Sequence, residues 1–135
     1  MDRFLKQALH NEEFHKCICD NSSDKFYDWK ITSLFYTAIH YLKALALKRG
    51  ISIGQTHHEI EQNVNPDRNN AVMRVSKNAW NEYKKLLQYS RNSRYDGIDT
   101  DFETFELIMK VDYEECVKHL DTFKKYIKGQ GVDVK

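Results

Sequence analysis

Apolar side chains recur at intervals of three and four along most of the chain, and no segment alternates apolar with polar for long enough to make a strand. The clearest stripe is Ile31, Leu34, Phe35, Ala38, Leu42, Leu45 and Ala46, one side of a helix that runs to about Arg49. Gly50 predicts its end, because glycine readily takes the left-handed conformation that closes a helix. Upstream, Phe4, Leu5, Ala8, Leu9, Phe14, Cys17 and Ile18 give a less regular face over residues 2–19. Asp20-Asn21-Ser22-Ser23 breaks that first helix. Ser22 or Ser23 is then placed to cap the second by accepting a bond from a free backbone N–H.

Beyond Gly50, Thr56-His57-His58-Glu59 has the spacing of a capping box and predicts a short helix. The polar stretch from Asn63 to Asn70, with Pro66 inside it, cuts that helix off. A fourth helix is expected over 70–94, with Val72, Val75, Ala79, Tyr83, Leu86 and Leu87 inward. Asp96-Gly97 reads as a turn, and Thr100-Asp101-Phe102-Glu103 as a second capping box. The last helix carries Phe105, Met109, Tyr113, Cys116, Leu120, Phe123 and Ile127 and frays at Gly129, leaving 128–135 as a loose tail. The pattern predicts an all-α bundle of four main helices plus one short helix, in a single domain over 1–135.

Composition narrows this further. A single proline and five glycines leave little material for turns, which favours few, long elements. The net charge of +1 provides no global field for nucleic acid or membrane, so any such binding must come from a local patch. Cys17, Cys19 and Cys116 are odd in number, and the first two fall on different faces of a helix. Reduced thiols in a cytoplasmic protein are the expectation. No apolar run reaches the length of a membrane span.

Charge is unevenly spread. Residues 68–95 hold seven basic groups against Glu82 alone, whereas 99–121 hold eight acidic groups against Lys110 and Lys118. Lys77, Lys84 and Arg91 recur every seven places and so share one face. Either two neighbouring helices of opposite charge pair, or the basic one presents a strip to an anion such as RNA.

Three segments carry a resemblance: Phe35-Tyr36-Thr37-Ala38-Ile39-His40 through Gly50, the pair Thr56-His57, and Ser90-Arg91-Asn92-Ser93-Arg94-Tyr95. Over roughly residues 23–127 the chain resembles the HEPN superfamily, in the manner of its stand-alone prokaryotic members. The resemblance implies a HEPN-like up-and-down helical bundle that pairs through its long helices into a homodimer. It also implies an RNA or nucleotide ligand, a toxin–antitoxin or defence setting, and a nucleotidyltransferase-type protein partner. Many HEPN proteins are metal-independent endoribonucleases. Their motif joins an arginine, which holds the scissile phosphate, to a histidine that follows after four to six intervening residues and moves the proton.

Here that histidine is missing. The window after Arg91-Asn92 lands on Asp96, Gly97 and Ile98, and the window after Arg94 on Asp99, Thr100 and Asp101. Arg3 and His10 fit the spacing, but on the first helix. His40 and His57 are the other candidates for a base. His57 stands in the first turn of a helix, where the dipole favours the neutral imidazole. The expected ligand site therefore comprises Arg91, Asn92, Arg94, Tyr95, His40 and His57, with no catalytic residue assigned. No cofactor is expected and no metal, since His57 and His58 point to different sides and Cys17-x-Cys19 lacks a second ligand pair, although His15 could join Cys17 or Cys19.

Three functions fit. The first is a non-catalytic or degenerate HEPN-like module that binds RNA, a nucleotide or a protein. The second is a metal-independent endoribonuclease using a non-standard histidine. The third is a helical homodimeric adaptor meeting its partner through Trp80, Tyr89 and Tyr126.

Overall fold

Five α-helices follow one another in the computed structural model: α1 (Arg3–Asn21), α2 (Tyr27–Lys48), α3 (His57–Val64), α4 (Lys77–Tyr95) and α5 (Phe102–Gly129). The structure describes residues 2–95 and 101–135, with the backbone alone at Tyr95. Among them there is no strand, and the architecture is an all-α bundle. The Asp96-Gly97 turn and the Thr100 cap lie outside the described residues. No described helix is long and apolar enough to cross a membrane.

The long helix α2 is central, packing against α1, α4 and α5, while α4 also packs against α5. Every residue of its predicted stripe is buried. Its end is a Schellman motif: Gly50, at φ +70°, donates to Leu47 C=O, and Ile51 donates to Ala46 C=O. Its start departs from expectation. Neither serine caps it. Phe26 holds the cap position in a left-handed conformation with no side-chain bond, and Ser22 instead closes α1 through its N–H to Ile18 C=O. Ser22 C=O also accepts from the ammonium of Lys30 at 2.7 Å, and that lysine is buried over the ring of Tyr27.

Helix α1 begins under Asp2, whose carboxylate accepts from Leu5 N–H. Only Leu5 and Ala8 of its apolar face are buried, and Phe14 and Cys17 point outward. The inward stripe of its second half is polar. Glu12 accepts from Tyr41 OH (3.0 Å) and Lys124 (2.7 Å), while His15 meets Tyr113 OH (2.7 Å) with Cys19 beside both.

Helix α4 starts at Lys77 rather than residue 70, because Ser76 caps it by accepting from Ala79 N–H. Val72 therefore lies in the preceding turn and is exposed. The predicted apolar face of α5 is buried except for half-covered Tyr113. Its cap is Asp101, which accepts from Thr104 N–H, one place after the expected Thr100. The last residues do not trail off. Gly131, at φ +94°, turns the chain, and Val132 and Val134 are buried.

The basic α4 and acidic α5 do not meet through the expected pairs. Between them a histidine of α5 meets an acid of α4: His119 Nδ1 lies 2.5 Å from Glu82 in a nearly buried setting. The seam is aromatic instead, with Tyr83 against Phe123. Lys77 of α4 reaches Asp67 at 3.8 Å, while Lys84, Arg91 and Arg94 are exposed.

Candidate anion-binding site

Thr56 opens α3 by accepting from Glu59 N–H, which fixes His57 in the first turn. That turn faces α4 across a pocket of about 350 Å³ lined by His57, His58, Glu61, Trp80, Tyr83, Lys84, Leu87 and Arg91. The α4 members recur at three- and four-residue steps, so one helical face supplies them. Phe35 of α2 forms a wall behind, 5.5 Å from the His57 ring and 5.8 Å from Tyr83.

The pocket is cationic and short of hydrogen-bond partners. Arg91 and Lys84 are exposed, and no ion pair among the described residues engages either, nor Arg94 or Lys43. Glu61 is the one acid in the lining, and Arg68 (2.8 Å) and Asn65 (2.9 Å) already occupy it. Among the described residues, four buried side-chain polar atoms have no hydrogen-bond partner: His57 Nδ1, Trp80 Nε1, Tyr83 OH and Ser90 Oγ. The first three belong to this lining. An unsatisfied buried donor or acceptor costs about 1–3 kcal/mol, so a cluster of them beside free cations suits a polar ligand.

Burial lowers the pKa of His57, and Arg91, Arg94 and Lys43 lower it further. The imidazole is thus held neutral by desolvation and by three converging cations. The helix dipole expected from its position is not needed to account for this. The phenol of Tyr83 moves upward, by burial, against a smaller opposing pull from Arg91.

The structure brings together some of the expected residues. His57 and Arg91 share the pocket, and Arg94 lies close enough to act on His57. Arg94 also lines a neighbouring cleft with Asp28, Trp29, Thr32 and Ser93. Asn92 turns along its own helix, accepting from Gln88 at 2.8 Å. The side chain of Tyr95 lies outside the described residues. His40 is elsewhere: its Nδ1 is 2.7 Å from Tyr36 C=O and 3.3 Å from Asn11 of α1, and it lines the α1–α2 groove. Spacing put it on the right face of α2, but that face meets α1 and not α3.

Sequence reasoning missed Trp80, Tyr83, Lys84 and Lys43 as members of the site. The seven-residue step from Lys84 to Arg91 was the available signal. Trp80 was expected at an exposed interface but is buried and stacked on Tyr83 at 5.2 Å. Tyr89 and Tyr126 are half-covered, the latter accepting from Ser76 N–H. Of the pair on α1, Arg3 lies over the Phe4 ring and lines a separate cleft with Lys43. His15 and Cys19 do come together, around Tyr113 rather than a second thiol, and no described group of three or more His, Cys, Asp or Glu side chains could hold a metal.

A family model described as HEPN domain matches residues 2–130. The chain belongs to the HEPN family. No curated protein and no solved structure matches it at a significant level. Membership makes this a HEPN-type module.

Proposed function

We propose that this HEPN domain binds a phosphate-bearing ligand, RNA or a nucleotide, in the pocket between α3 and α4. Arg91, with Arg94 and Lys43 nearby, supplies positive charge, and the buried polar atoms of His57, Trp80 and Tyr83 hydrogen-bond the ligand. The observation that carries the reading is the convergence of unpaired cations on one neutral, partnerless imidazole. Charge that is spent on holding a fold has a partner, and this charge has none. The family's homodimer, its toxin–antitoxin or defence setting and a nucleotidyltransferase-type partner belong to the same proposal. Titrating short labelled RNA into the protein tests the central claim. Binding should weaken steeply with salt and fall in Arg91→Ala. Affinity that ignores both salt and Arg91 overturns it.

A second reading is favoured by His57 itself. A neutral imidazole sharing a pocket with an arginine is the pairing that the 2′-hydroxyl chemistry needs, supplied from α3 instead of the end of α4. Incubation of RNA with protein in chelator decides it. Cleavage lost in both His57→Ala and Arg91→Ala supports a ribonuclease, and intact RNA with wild-type protein rejects one.

A further inference from the structure

A cavity of about 630 Å³ opens where the first turn of α1, the end of α2 and residues 51–55 meet. It is larger than the α3–α4 pocket and is lined by a different set of residues. Phe4, Leu47, Ile51 and Ile53 give it an apolar wall, and its charged members are Arg3 and Lys43. An apolar wall with a few convergent polar groups is the make-up of a small-molecule site, and the volume suits one. The wall is also preformed. Ile51 N–H donates to Ala46 C=O, and Ile53 C=O accepts from the Asn63 side chain at 3.0 Å. Gly54, at φ +93°, sits so close to Glu59 that a Cβ would not fit, and Thr56 Oγ1 donates to that carboxylate at 3.1 Å. A site that needs no ordering keeps more of its contact energy on binding.

The two cations gather at one place. The guanidinium carbon of Arg3 lies 4.6 Å from the centroid of the Phe4 ring, and the ammonium of Lys43 lies 6.0 Å from it. Neither joins an ion pair among the described residues. From Phe4 the aliphatic wall runs on through Leu47, which is 46% exposed. Charge at one end and bare aliphatic surface beyond it are complementary to a molecule with an anionic head and an aliphatic body. The fork of the guanidinium fits two oxygens of one head group. A nucleic-acid base is a poor match, because it needs an open aromatic face and the cations already lie over Phe4.

We propose that this cavity binds a small aliphatic oxyanion, a methylene chain ending in a carboxylate or a phosphate. The head lies on Arg3 and Lys43, and the chain lies along Leu47, Ile51 and Ile53. This goes beyond the reading of the Arg91 pocket and does not depend on it. Each methylene laid on the wall tightens binding about fourfold until the wall is used up. The charged head adds hydrogen bonds that a neutral head of the same length makes only weakly.

The experiment titrates hexanoate, octanoate, octyl phosphate, octanol and octylamine into the protein below their micelle concentrations. Calorimetry reads affinity, and amide NMR shifts read the place of binding. Octanoate should bind roughly fifteenfold more tightly than hexanoate. Octanol should be roughly tenfold weaker than octanoate, and octylamine weaker still. Whichever of octanoate and octyl phosphate binds more tightly names the head group. The shifts should centre on residues 3–4, 43–47 and 51–55. Arg3→Ala should weaken both oxyanions by roughly tenfold and leave octanol unchanged. Leu47→Glu, which places a carboxylate on the exposed part of the wall, should weaken them further than octanol. Octylamine binding as well as octanoate, an affinity blind to chain length, or no loss in Arg3→Ala overturns the proposal. Octanoate shifts that centre on the α3–α4 pocket and vanish in Arg91→Ala overturn it too, and leave the Arg91 reading intact. Octanoate held through Arg3 by a protein whose RNA affinity ignores Arg91 removes only that other reading.

Discussion

Glu82 and Arg91 stand nine residues apart on α4, and their surroundings are opposites. Glu82 faces α5, nearly buried, with its carboxylate against His119. Arg91 faces α3, exposed, sharing a pocket with His57 and holding no carboxylate among the described residues. Each is thus near a histidine, but the pairs are built differently. His119 meets an acid and is satisfied. His57 meets cations, is kept neutral by burial and by them, and has an orphaned ring nitrogen. A charge that joins two helices is matched and shut away, since a buried unmatched one would unfold the chain. The unmatched cations collect where solvent reaches them and where a ligand of opposite charge would be held.

The sharpest way to break this contrast is to delete the acid. Glu82→Ala leaves the His119 ring without its partner inside the α4–α5 seam, and the cost should be about 2–3 kcal/mol. Thermal and urea unfolding measure it. RNA affinity of the folded protein should be untouched. A stable Glu82→Ala variant would mean that the seam is held by Tyr83 and Phe123 alone.

Arg91→Ala should do the reverse. Surface substitutions away from a paired network change stability by about 0.5 kcal/mol or less, so its melting temperature should match wild type. RNA binding should fall about five- to tenfold, and the slope of log affinity against log salt should drop by about one for each phosphate that the guanidinium neutralises. A large fall in stability here would show that Arg91 is a structural residue after all.

How much of this was written in the sequence divides along the same line. The stripe from Ile31 to Ala46 and the Gly50 stop were legible, because apolar spacing and a left-handed glycine are local signals. The inward face of the second half of α1 was not, since Glu12, His15 and Cys19 are polar and hydrophobic periodicity does not register them. Trp80 was misplaced for a related reason: it sits in a basic helix, and only its stacking on Tyr83, which Phe35 backs in turn, makes that face interior. Arg91 and His57 stood out as chemistry, yet their adjacency depends on where Thr56 starts α3 relative to α4. His40 shows the limit. Its position on α2 was right, but which helix that face meets is a tertiary fact.

Tyr83→Phe tests the orphaned atoms. The hydroxyl has no partner, so removing it should leave stability unchanged or raise it by up to about 1 kcal/mol. The same substitution should weaken ligand binding, because the ring then has no hydroxyl to offer the bound molecule. A clear fall in stability without ligand would mean that the hydroxyl is satisfied in solution, and the case for an unmet donor in the pocket would go with it.

The finest discrimination comes from pH, where the fold and the site should respond in opposite directions. Burial, then Arg91, Arg94 and Lys43, lower the His57 pKa below its ordinary 6.5. The unfolded chain takes up its proton near 6.5 and the folded chain only at lower pH, so between the two values the unfolded state binds more protons. Stability is therefore constant above that ordinary value and is lost as pH falls from there towards the folded one. His15, lowered by burial and by Lys30, and His40, lowered chiefly by burial, add to the same loss. A phosphate in the pocket reverses the local field at His57 and favours the imidazolium. RNA affinity should therefore rise as pH falls through that window, with proton uptake on binding. His57→Asn should flatten the affinity profile while leaving the contributions of His15 and His40 to stability. In Arg91→Ala the His57 resonance should titrate at higher pH by NMR, because one of its depressing charges is gone. An unmoved His57 titration in Arg91→Ala would place the guanidinium too far away to act on the ring, and the contrast with Glu82 and His119 would then be one of solvent exposure alone.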